Sequence, residues 1–191
     1  MSEDHVTLRR FMRVEYDRLV ELGVFRGEAV ELIGGLLLVA EPQGSYHASA
    51  VGKVADALRA LLPPGWLVRV QMPVALDDQS EPEPDVAVVP GAWADYRSDH
   101  PARPALIVEI AETSLAFDRG EKASLYARAG VGDYWILNLV DRVLEVRRDP
   151  RPDETASYRW SYRTIERVGP GAVVPLLALP SIHVRVSDLI I

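Results

Sequence analysis

The chain has 191 residues, enough for one domain with a real core, and its 48% apolar and 26% charged residues are the balance of an ordinary globular protein. It contains no cysteine, which excludes disulfides, thiol catalysis and cysteine-ligated metal centres. No run approaches the roughly 18 apolar residues of a membrane span, and MSEDHVTLRRFMRVEYDRL at the start carries charges throughout in place of a leader's apolar segment, so a cytoplasmic location is expected.

The net charge of −7 opposes a nucleic-acid ligand, because proteins that hold phosphate backbones gain affinity from a basic face that releases counterions. The basic residues here are scattered: Arg9, Arg10 and Arg13, then Arg97 and Arg103, then Arg142, Arg147, Arg148 and Arg151.

In chain order, Thr7 to Leu22 reads as an amphipathic helix with Thr7 as N-cap, stopped by Gly23. EAVELIGGLLLVA reads as a β-hairpin turning on Gly34–Gly35. Ser45 is a cap for a second helix that runs to about Leu62 and ends at Pro63–Pro64–Gly65. Trp66 to Leu76 alternates like a strand, with an irregularity expected at Pro73. A polar loop, DDQSEPEP, leads to the strand DVAVV, and PALIVEIA is a nearly continuous apolar run of the kind buried on both faces of a sheet. Asp118 to Ala129 reads as a helix closed by Gly130, followed by the strands DYWILNL and RVLEVRR joined across Val140–Asp141. Short strands are predicted near Tyr158–Arg163 and Ile182–Val186. The order implies a single α/β (α+β) domain over 1–191: a central mixed sheet flanked by helices, an N-terminal helix and hairpin, and a C-terminal β-rich extension.

Glu109 is the main anomaly, a carboxylate with apolar residues on both sides in LIVEIA. If buried it must be paired, protonated or bound to a metal; a salt bridge at a strand end is the alternative. Asp85 opens the strand DVAVV after Pro84, and if that strand neighbours the Glu109 strand, both carboxylates converge at one end of the sheet. Hard oxygen donors of this kind suit Mg2+ or Mn2+, which keep waters or phosphate oxygens at the remaining positions. Lys122 shares a helix face with Asp118 and Tyr126 at i, i+4, i+8 spacing, where an ordinary Asp–Lys helix pair is the competing reading. Tyr126, Tyr134 and Trp135 are read as core packing.

The succession ELIGG, His47 at a helix start, PEPDVAVV, then ALIVEI-x5-AFD-x3-K-x3-YARAGVGDYWILN resembles the Uma2-type branch of the PD-(D/E)XK nuclease superfamily over roughly Glu31 to Val146. The resemblance implies a restriction-endonuclease-like core that hydrolyses DNA phosphodiester bonds. Asp85, Glu109 and the main-chain carbonyl of Ile110 would hold the divalent metal and Lys122 would complete the catalytic set. Glu31 and His47 would line the site, His47 meeting a phosphate or water and Glu31 orienting a neighbour. The usual superfamily lysine stands two residues after the second carboxylate. Here that position is Ala111, and the lysine has moved to the following helix.

Two other readings remain open at this level. The chain could be a catalytically inactive nuclease-fold module that binds nucleic acid or regulates. It could also be a homo-oligomeric partner-binding protein using the apolar segment AVVPLLALPSIHV. There is no P-loop, G-x-G-x-x-G, G-x-S-x-G or H-E-x-x-H, and His5, His47, His100 and His183 are too dispersed to suggest a zinc site.

Overall fold

The computed structural model describes residues 7–191. His5 and the first residues of the N-terminal stretch lie outside the described residues.

Helix α1 spans Arg13–Glu21, not Thr7–Leu22. Thr7 caps nothing, because the chain before Arg13 is committed elsewhere: the Phe11 N–H donates to Gly35 O at 2.9 Å, and the Met12 N–H donates to Glu15 Oε2 at 3.0 Å, closing the helix start. The hairpin forms as expected, β1 (Val30–Ile33) against β2 (Leu36–Val39). Gly34 and Gly35 both take positive φ, +56° and +81°, which a two-residue turn of this hand demands. Helix α2 is Ser45–Leu61, with Gly44 at the N-cap, so Ser45 is its first residue and not its cap.

A six-stranded sheet follows, in sequence order from one edge to the other: β3 (Trp66–Val70), β4 (Val86–Pro90), β5 (Leu106–Ala111), β6 (Asp133–Asn138), β7 (Val143–Pro152) and β8 (Trp160–Val168). Only β5 and β6 are parallel; every other neighbouring pair is antiparallel. β3 is shorter than the predicted Trp66–Leu76 strand, because Gln71 takes φ +50° and the chain leaves the sheet for a long loop before Asp85. β7 and β8 are longer than predicted, since they pair with each other along almost their full lengths.

The parallel pair β5–β6 needs a crossover, and it is helical. It comprises α3 (Leu115–Phe117), a π-helical turn (Asp118–Lys122) and α4 (Ala123–Arg128). The helix therefore starts three residues before the predicted Asp118 and contains a widened turn. The C-terminal segment adds the small pair β9 (Val173–Pro175) and β10 (His183–Arg185), then α5 (Val186–Leu189).

Strand periodicity divides the core. On one face Val86, Val88, Val108, Ile110, Trp135 and Leu137 meet Val51, Val54, Ala55 and Leu58 of α2. Val174, Leu176 and Val184 join that cluster, so much of the apolar tail completes the core. On the other face Ala87, Ile107, Ala111, Tyr134 and Ile136 meet Ala123, Tyr126 and Ala127. Glu109 belongs by parity to this second face and points toward the crossover helix. No helix among the described residues is long and apolar enough to cross a membrane.

Candidate active site

The register of β4 against β5 pairs Val86 with Val108, so the next step places Asp85 beside Glu109. Each carboxylate accepts a main-chain bond from the other strand. The Ile110 N–H donates to Asp85 Oδ2 at 2.8 Å, and the Asp85 N–H donates to Glu109 Oε2 at 3.3 Å. Asp85 is 8% exposed and Glu109 3%.

Both oxygens of Glu109 are thereby differentiated. Lys122 Nζ lies 3.0 Å from Oε1, and the Tyr126 hydroxyl donates to the same oxygen at 2.7 Å. Oε2 faces the Asp85 side with only the long main-chain contact. The π turn explains how Lys122 gets there: it turns Asp118 and Lys122 inward together, the latter only 9% exposed. Widened turns of this kind recur at functional sites. The simple Asp118–Lys122 helix pair does not form among the described residues; Asp118 accepts from the Ser114 hydroxyl instead.

His47, near the start of α2, sits across the sheet end. Its Nε2 donates to Ile110 O at 2.8 Å and lies 3.3 Å from Asp85 Oδ2. Glu31, on β1, reaches in from the hairpin: its Oε2 accepts from the Glu83 N–H at 3.1 Å and lies 3.9 Å from Lys122 Nζ. The five side chains and the Ile110 carbonyl singled out from the sequence thus surround one cavity of about 460 Å³.

The cavity is strongly acidic. Glu31, Glu41, Glu83, Asp85, Glu109, Glu112 and Asp118 line it, against Lys122 and His47. Burial pushes the Glu109 carboxyl up to about 8, Asp85 and Asp118 adding to the rise while Lys122 and the Tyr126 hydrogen bond oppose it. Burial likewise raises Asp118 and Glu83. Burial alone would depress the Lys122 ammonium, but Glu109, Glu31 and Asp118 outweigh it and hold the group charged, well above its ordinary range. The hydrogen bond with Asp85 raises His47.

Crowded carboxylates that burial drives toward protonation are the electrostatic condition a divalent cation reverses. Among the described residues no three His, Asp or Glu side chains ring a metal position. The site instead offers two carboxylates and a main-chain oxygen. That sparse hard donor set fits Mg2+ or Mn2+, whose other positions go to water or phosphate.

Two buried tyrosines do more than pack. Tyr126 was read as packing, yet it is a hydrogen-bond donor to Glu109, and the signal was present in its place one turn after Lys122. Tyr134, also read as packing, donates to Asp118 O at 3.0 Å and steadies the π turn. Trp135 is packing as expected, fully buried with Nε1 satisfied by Asp133.

A solved structure described as a putative nuclease belonging to DUF820 from Anabaena variabilis ATCC 29413 is similar in fold, with a TM-score of 0.60 at 18% identity, covering 85% of this chain and 89% of that one. No curated protein matches the chain. The sheet, the crossover helix and the acidic cavity all fall within residues 13–187, which match the model of a family described as "Putative restriction endonuclease", and on that match the chain belongs to the Uma2 family.

Proposed function

We propose that the protein is a divalent-metal-dependent endonuclease that hydrolyses DNA phosphodiester bonds, with Asp85, Glu109 and Lys122 as its catalytic residues. The observation that carries this reading is the shared geometry of Glu109: one oxygen held by Lys122 and Tyr126, the other facing Asp85. Mg2+ or Mn2+ would be held by Asp85, Glu109 and the Ile110 carbonyl, and when bound it would polarise the scissile phosphate and acidify an attacking water.

The protein's own groups define the rest. Lys122 is kept protonated by its carboxylate neighbours, so it serves as a hydrogen-bond donor and positive charge toward the water or the developing phosphorane, and not as a general base. His47 fixes the Ile110 carbonyl and Asp85 in one arrangement at the cavity wall. Glu31 holds Lys122 from the far side and fixes the main chain at Glu83. The acidic lining repels a phosphate backbone, so cation binding strengthens substrate binding at the scissile position.

A second reading, a nuclease fold that binds nucleic acid or regulates without cutting, is favoured by the net charge of −7 and by Ala111 in the usual lysine position. The test is titration calorimetry with Mg2+ and Mn2+, paired with a supercoiled-plasmid nicking assay, on wild type and on Asp85→Ala with Glu109→Ala. The proposal expects binding and nicking in wild type and neither in the variant. A folded variant that nicks normally removes the site assignment. Metal binding and DNA binding without nicking favours the second reading.

A further inference from the structure

Arg69, the fourth of the five residues of β3, is 5% exposed, yet no carboxylate lies within ion-pair distance of it among the described residues. Its guanidinium makes one hydrogen bond, Nη2 to Pro73 O at 3.3 Å, and its Nε is buried with no partner. Arg147 and Arg13 have the same kind of orphaned Nε, but each also meets a carboxylate: Arg147 meets Glu145 and Arg13 meets Asp17 and Glu81. What surrounds Arg69 instead is aromatic: the rings of Trp93 and Tyr96 lie 6.0 and 5.7 Å from its central carbon. Burial lowers its pKa, opposing the charge it carries.

A buried cation compensated by two ring faces and one long hydrogen bond, with no carboxylate, leaves most of its desolvation cost unmet. A planar guanidinium with free N–H edges is matched by one ligand chemistry above others, a phosphate accepting two parallel hydrogen bonds. The cover over Arg69 is thin, a single 3-10 turn (Trp93–Tyr96), and Trp93 itself is 54% exposed. An exposed indole beside a phosphate-seeking guanidinium suits a nucleic-acid strand, whose base stacks where its phosphate pairs.

The location ties this to the candidate active site. Arg69 pairs with Ala87 in the sheet register, and Gln71, two residues on, gives its N–H to Asp85 O at 3.1 Å. By strand parity Arg69 and Asp85 share a sheet face, two residues apart along adjacent strands.

We propose that Arg69, with Trp93 and Tyr96, forms a subsite for a phosphodiester group of nucleic acid flanking the position where Asp85 and Glu109 act. The subsite rests on the nuclease reading for its ligand. It also explains how an acidic protein could grip DNA, through one pre-desolvated cation in place of a basic face.

The experiment is fluorescence anisotropy of a labelled 16-base-pair duplex in EDTA across 50–200 mM NaCl, on wild type, Arg69→Met, Arg69→Lys and Trp93→Ala. Thermal melts and Mg2+/Mn2+ calorimetry on the same proteins accompany it, with inorganic phosphate as competitor. One lost phosphate contact reduces the slope of log K against log salt by about 0.9. Arg69→Met should therefore lose about one unit of slope and bind roughly 5–10-fold more weakly at 100 mM salt. Arg69→Lys should keep the slope and lose affinity, because it keeps the charge without the fork. Trp93→Ala should weaken binding with the slope intact.

Arg69→Met should also melt no lower than wild type, since it removes a buried charge that no carboxylate balances; a purely structural arginine would give a lower melt. Unchanged slope and affinity in Arg69→Met overturn the subsite, as does competition by free phosphate with no binding of duplex. The two readings fail separately. Arg69-dependent DNA binding without nicking removes the nuclease reading alone. Metal bound at Asp85 and Glu109 with no Arg69 effect on DNA removes the subsite alone.

Discussion

Tyr126 and Lys122 hold the same oxygen of Glu109, at 2.7 and 3.0 Å, from successive turns of the crossover helix. Two donors on Oε1 orient the carboxylate so that Oε2 is presented to Asp85 and the cavity. Tyr126 is fully buried against Tyr134, with ring centroids 5.0 Å apart, so its hydroxyl cannot swing away.

Tyr126→Phe removes that hydroxyl and nothing else. Losing one buried hydrogen bond should cost about 1 kcal/mol of stability. On the proposed reading, metal affinity should fall by roughly tenfold, as it does when groups orienting a ligand are removed. Calorimetry with Mn2+ checks the affinity and a denaturant melt the stability. An unchanged affinity would reduce Tyr126 to packing.

Lys122→Met leaves Glu109 buried without its cation. Breaking one side of a buried pair typically costs about 3–5 kcal/mol, but protonation of Glu109 relieves part of it. Glu109 is already raised to about 8, and losing Lys122 raises it further. A carboxyl raised in the folded state gives stability that is present below the unfolded value and is lost as pH rises through the folded one. The variant should therefore be closest to wild type near pH 5 and furthest from it near pH 9. Chemical denaturation at the two pH values reads this directly; an equal deficit at both would mean that Glu109 does not take up the proton.

Glu81 predicts a second pH effect away from the cavity. Burial pushes it up to about 7, with Asp17 and Glu83 adding to the rise and Arg13 opposing it. Its Oε2 has no hydrogen-bond partner, Arg13 Nη1 stands 3.7 Å off, and His100 lies 3.8 Å from Oε1. The group's stabilising effect is thus complete below about pH 4.5 and disappears as pH rises through about 7. Glu81→Gln should flatten that part of the stability profile, leaving the variant more stable than wild type at pH 8. Melting temperatures from pH 5 to 8 test it, and parallel profiles for the two proteins would contradict it.

Gly34→Ala should loosen the hairpin that carries Glu31. Gly34 has φ +56°, and a Cβ there would lie 2.5 Å from Tyr158 Cε1. The conformational penalty alone is about 1–2 kcal/mol, and displacement of the Tyr158 ring adds to it. A loss of at least that size in a urea melt is expected, with faster amide exchange along β1 and β2 than in wild type.

Much of the architecture was legible because it follows from local pattern. The apolar run Leu106–Ala111 reads as a strand buried on both faces, which it is, and its interruption by Glu109 pointed to the candidate site. Asp85, at the mouth of the next apolar strand, needed only antiparallel pairing to meet it. Boundaries failed where long-range bonds overrode propensity. Helix α1 begins late because Phe11 is bonded to the hairpin, and β3 ends early because Gln71 turns toward Asp85.

The sequence by itself determined which segments are strands and helices and that one carboxylate would be out of place among apolar neighbours, because period and composition are properties of the chain alone. Only the tertiary structure decided who answers whom. The π turn aims Lys122 at Glu109 in place of Asp118, Tyr126 proves to be a donor as well as packing, and Arg69 is buried without a carboxylate. Those outcomes depend on strand register and on where loops close over the sheet, and a side chain's partners there come from residues remote in sequence.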